Sequence, residues 1–123
     1  MASNLSVRLL GDCDQGQIDE FQFYAGENRT LKLQVYDTEN DQKYCLPTTV
    51  SLTIYLPSTS GTDIEITNAD ITIDTDRSII SAELSTTQTT AMMTGWIKLQ
   101  IDDSGAIRWA IVEFGTTKLS SHT

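Results

Sequence analysis

Histidine is all but missing from this chain. The single one, His122, falls in the last two of 123 residues. Histidine-based acid–base or nucleophilic catalysis needs an imidazole held firmly against its partner, so that chemistry is not expected here. Cysteine is nearly as scarce. Cys13 and Cys45 have neither CxxC spacing nor histidines to complete a tetrahedral set, which excludes a zinc site. Cys13 lies between Asp12 and Asp14, whose charges oppose a reactive thiolate. Spacing alone leaves open whether the two cysteines pair. The opening MASNLSVRLLGD lacks the apolar core of a secretion leader, so two reduced thiols are the expectation.

Positive charge is also short: 8 Lys and Arg stand against 17 Asp and Glu, a formal net charge of -9. Nucleic acid is therefore not an expected partner, because binding it requires cations to displace counterions from phosphates. An anionic membrane surface would repel the chain for the same reason. No apolar run approaches the roughly 20 residues that a membrane-spanning helix needs. The 7 glycines are scattered as turn punctuation, with no phosphate-cradling loop among them. Acids do alternate at Asp37, Glu39 and Asp41, and again at Asp74 and Asp76, as calcium loops require. The first run lacks the central glycine and late glutamate of an EF-hand, and turns favour acids for backbone reasons alone. No metal, no cofactor and no enzymatic activity are expected.

What is present is period-two alternation. Leu31, Leu33 and Val35 alternate with polar partners; Val50, Leu52, Ile54 and Leu56 do so more cleanly; Ile97, Leu99 and Ile101 follow the same rule. Shorter runs occur at Phe21 and Phe23, with a phase break near Glu20, and at Ile64 and Ile66, Ile71 and Ile73, and Ile80, Ala82 and Leu84. Ile107, Trp109 and Ile111 open a last long strand whose pattern shifts to Val112 and Phe114, which reads as a bulge or a strand covered on both faces. About eight short strands at intervals near ten residues predict an all-β domain, a sandwich or barrel. The 18 threonines suit exposed strand positions.

Two segments depart from this rhythm. Residues 1–17 read as a loose N-terminal arm in which Leu5, Val7 and Leu9 form an edge strand able to dock on a partner. The stretch LSTTQTTAMMTGW predicts a short helical crossover near residues 85–93, capped by Ser85. Its threonines would face water, its methionines would plug the gap beneath, and Gly95 would supply the freedom to end the turn. The organisation expected is an arm over 1–17, a β domain over 18–119 and a frayed tail over 120–123. Trp96 stands in the opposite phase to Ile97, Leu99 and Ile101, so it points outward beside Lys98. With Tyr36 and Tyr55 it marks either a loop-covered face or a contact patch for a protein or a sugar.

The order of segments resembles an immunoglobulin-like β-sandwich domain of tailed-bacteriophage virion proteins, a group that includes the N-terminal domain of baseplate upper proteins and small head- or tail-associated proteins. The matching features are a glycine-led strand over 26–35, a leucine-containing entry to the strand over 46–56, the Leu-Ser-x-x-x-Thr turn beginning at Leu84, Gly95-Trp96 opening a strand, and the Asp-x-x-Gly hairpin over 102–105. The resemblance covers about residues 25–119. It implies a two-sheet immunoglobulin-like sandwich and a structural role in the virion, assembled in the host cytoplasm. The expected partners are the major capsid protein or other virion proteins, with homo-oligomerisation open. Baseplate upper proteins continue into further domains, whereas a stand-alone sandwich is the expectation here. That departure favours a capsid decoration (cement) protein over a baseplate, neck or tail adaptor. A carbohydrate-binding module built on Trp96 is the alternative from another class.

Overall fold

A computed structural model describes residues 5–10, 17–18, 20–112 and 114–119. The described strands are β1 (Leu5–Leu10), β2 (Gln17–Ile18), β3 (Glu20–Phe23), β4 (Arg29–Asp37), β5 (Gln42–Lys43), β6 (Val50–Leu56), β7 (Ile64–Thr67), β8 (Ile71–Ile73), β9 (Ile79–Leu84), β10 (Gly95–Trp96), β11 (Lys98–Asp103), β12 (Ala106–Val112) and β13 (Gly115–Lys118). One helix, α1 (Thr86–Ala91), separates β9 from β10. Among the described residues the fold is all-β apart from this helix and a three-residue helical turn at Asn68–Asp70.

Eight strands run in one hydrogen-bonded path, β7-β6-β11-β12-β1-β4-β9-β8; β2 joins β1 and β5 joins β4 off that path. A second sheet has the order β10-β13-β3. Alternation decides which rows turn inward. Leu52, Ile54 and Leu56 of β6, Leu99 and Ile101 of β11, Leu31, Leu33 and Val35 of β4, and Ile80, Ala82 and Leu84 of β9 are buried in a single apolar cluster. Each such side chain contributes roughly 1.5–3 kcal/mol on leaving water. Because rows from both halves of the path meet in one core, the sheet must close over itself rather than lie flat.

The first residues are not a loose arm where they are described. β1 pairs in parallel with β12, Ser6 against Ile111, and antiparallel with β4, Val7 against Val35. Leu5, Val7 and Leu9 are buried among the core side chains of their own chain. β1 is therefore an interior strand that joins the two halves of the path, not an edge. Residues 1–4, 11–16 and 120–123 lie outside the described residues, and with them Cys13 and His122.

Two phase breaks mark changes of sheet. Near Glu20 the chain leaves β2, which pairs with β1, and enters β3, which pairs with β13. After Val112 it leaves the large sheet, and β13 takes up a parallel register with β3, Thr116 against Phe21. The shift expected as a bulge near Val112 and Phe114 is thus the passage from one sheet to the other.

The helix forms where the sequence places it. Ser85 accepts from the Gln88 backbone N–H, and the Gln88 side chain accepts from the Ser85 N–H, a reciprocal cap. Met92 is buried beneath it, whereas Met93 is exposed. Thr89 differs from the expectation for the threonines: it is buried, its hydroxyl donates to the Glu27 carbonyl at 2.8 Å, and it accepts from the Gly26 N–H at 3.1 Å. Those bonds tie the turn before β4 to the helix. Gly95 also serves a different end. Its φ is not positive; a β-carbon there would stand 3.2 Å from Cβ of Pro57, so the glycine relieves a tight contact with that ring.

Candidate functional site

Three large apolar side chains stand well out of the fold: Trp96 at 68% exposure, Ile107 at 56% and Trp109 at 54%. Trp96 opposes Gly115 across the β10–β13 pair. Its ring lies 3.9 Å from where a Gly115 β-carbon would be, so the indole covers backbone that a side chain would otherwise cover. Lys98, two residues on, is exposed and reaches Asp63 at 3.9 Å. The outward orientation expected for Trp96 is what the chain adopts.

Ile107 and Trp109, whose facing the alternation alone leaves open, turn outward. Register fixes this: Leu99 opposes Ala110 and Ile101 opposes Arg108, so the even-numbered positions of β12 turn inward. Ala110 is buried, and Ile107 and Trp109 face solvent. Gln100 lies between Trp109 on one side and Thr53 on the other, and Lys98 opposes Tyr55. The Tyr55 and Trp109 rings bridge this row with centroids 5.7 Å apart and planes inclined by 37°. The outer face of β6, β11 and β12 therefore presents two touching aromatic rings over a polar strand. Tyr36, the other tyrosine singled out from its phase, is engaged elsewhere: Arg8 sits over its ring at 3.5 Å and its hydroxyl donates to the Asp41 carbonyl.

Leu5, Val7 and Leu9 contribute nothing to this surface, being buried in the core. Deleting the segment that carries them would remove a strand from the fold, so it is no test of docking.

The acidic loops are occupied by their own backbones. Asp37 accepts from the N–H groups of Glu39 and Asn40 and from the Asn40 side chain, which holds its carboxyl below the usual range. Asp76 accepts from the Ser78 N–H at 2.9 Å and from Lys43 at 3.0 Å; these bonds hold its carboxyl down at about 2. Among the described residues no cluster of three or more metal-ligating side chains exists. Cys45 is a free, exposed cysteine. A groove of about 810 Å³ on the β4–β9–β8 side is lined by small polar groups, including Thr30, Thr72, Ser81 and Gln88, with Glu83 and Asp70 at its wall. Among the described residues no helix is long and apolar enough to cross a membrane.

Comparison of the chain with protein-family models and with curated proteins returns no match.

Proposed function

We propose that this chain is an immunoglobulin-like two-sheet sandwich and a non-enzymatic structural protein of a tailed-phage virion, most simply a decoration protein that bridges capsid subunits. The observation that carries the fold reading is strand order. Immunoglobulin domains arrange strands A, B, E and D in one sheet and G, F and C, with C′ in the variable type, in the other. Here β1, β4, β9 and β8 are neighbours in that first order, and β12, β11, β6 and β7 in the second. Their sequence order is also that of A, B, C, C′, D, E, F and G. The helix lies where the E–F crossover falls, between β9 and β11.

The structural role is supported by the same segment order that resembles phage virion domains, and by an exposed tryptophan held on a short, tightly packed strand pair. A rigid scaffold with projecting aromatics suits protein contacts, in which Trp and Tyr carry much of the binding energy. Many copies on a particle would add their modest interfaces through multivalency. The net charge of -9 would keep decorated particles apart in solution.

Electron microscopy of particles carrying a labelled chain tests this reading. Label on the head shell supports decoration. Label confined to the baseplate, neck or tail supports an adaptor instead, and unlabelled particles overturn both. Trp96→Ala, in a chain shown to remain folded, is expected to lower the copy number per particle.

A further inference from the structure

We infer that the outer face of β6, β11 and β12 is a binding platform for a neutral, hydroxyl-rich polysaccharide, with Trp109 and Tyr55 as the stacking surface and Gln100 as the hydrogen-bonding group between strands. This is independent of the virion reading and uses residues other than Trp96.

Three observations carry it. The Trp109 and Tyr55 rings lie with centroids 5.7 Å apart and belong to strands on opposite sides of β11, so they form one tilted aromatic pair rather than two isolated side chains. The row beneath is polar, not aliphatic. Gln100 lies in register with both Trp109 and Thr53, and among the described residues its amide has no hydrogen-bond partner. An amide supplies donors and an acceptor together, which is what paired hydroxyls require. The third observation is charge. Among the described outward positions of β6, β7, β11 and β12, Lys98 is the lone cation, and Asp63 already pairs with it. Glu65, exposed in register with Tyr55, and Asp102, in register with Ile107, make the surroundings acidic.

That combination selects a ligand class. Phosphate- or uronate-bearing polymers are repelled by the acidic surroundings and by the net charge of -9. A protein partner requires about 800 Å² on each side with an apolar centre. Here the apolar groups are Trp109, Ile107 and the half-buried Tyr55, and the polar row of Lys98, Gln100 and Asp102 runs between β12 and β6 at the centre. Sugar rings have apolar C–H faces that stack on aromatic rings, and edges lined with hydroxyls that pair with amides. The platform offers both within adjacent strands, and its one cation, Lys98, is paired with Asp63.

The test uses a Trp96→Phe chain, which leaves Trp109 as its sole tryptophan reporter. This chain is titrated with laminarin, galactomannan, xylan and dextran while its emission is followed, and the same polymers are cast into native gels to read retardation. At least one polymer is expected to shift the emission saturably and retard the chain, equally at low and high salt. Trp109→Ala and Gln100→Ala, placed in the otherwise native chain and checked for unchanged thermal unfolding, should each weaken retardation by about fivefold or more. The Trp96→Phe chain should match the native one. No emission change and no retardation with any of the four polymers overturns the inference. So does retardation that survives both Trp109→Ala and Gln100→Ala. Salt-sensitive binding of a lysine-rich amphipathic peptide, lost with Trp109→Ala while no polymer binds, would identify a protein-docking face instead.

Discussion

Thr89 shows how much one hydroxyl can join. It sits in a helix yet reaches both Glu27 and Gly26, residues on the turn that starts β4. Replacing it with valine keeps the shape and removes both bonds, which at this half-exposed turn costs about 0.5–1.5 kcal/mol. Urea denaturation of Thr89→Val should show that loss as a lowered midpoint with unchanged slope. Asp76 makes a different prediction. Its folded carboxyl titrates at about 2, below the ordinary value of 3.8. The stability it contributes is therefore fully present above the unfolded value and is lost as pH falls through about 2. An acid titration followed by circular dichroism should show the Asp76→Asn chain losing less stability between pH 4 and pH 2 than the native chain. Equal losses would mean that the bonds to Ser78 and Lys43 do not persist in solution.

At the level of elements, the β10–β13 pair is built on two glycines. A β-carbon at Gly115 would meet the Gly95 carbonyl oxygen at 2.8 Å, a contact that backbone cannot relieve without moving. Gly115→Ala should therefore separate the pair, cost about 1–3 kcal/mol, and change the emission of Trp96, measured in a chain carrying Trp109→Phe. Much of the element plan was legible beforehand. β6 begins and ends where the Val50–Leu56 alternation does, and the Leu31, Leu33 and Val35 row lies inward as its period demands. The capped helix was legible too, because Ser85 and Gln88 have the capping-box spacing. β12 was not. Its two phases both carry apolar residues, Ile107 and Trp109 on one and Ala110 and Val112 on the other, so alternation alone does not choose between them. Only the register with β11 decides between them, and register is a property of two strands, not of one. The aromatic pair of Trp109 with Tyr55 was hidden for the same reason.

At the scale of the molecule, β1 closes the fold. Its parallel pairing with β12 joins strands about a hundred residues apart in sequence, a long-range contact that no local pattern announces. That is why residues 5–10 read as an arm in sequence and are an interior strand in the structure. Removing residues 1–10 should abolish cooperative thermal unfolding, since it strips Leu5, Val7 and Leu9 from the core and leaves the facing edges of β4 and β12 unpaired. A truncated chain that still melts cooperatively near the native temperature would restore the loose-arm reading. The proposed role, a β domain gripped by virion proteins, is tested most directly by quantifying the chain in particles purified away from soluble protein. Recovery in a fixed ratio to the major capsid protein is the expected result. Recovery of the whole pool as a soluble species, with none on particles, would contradict it.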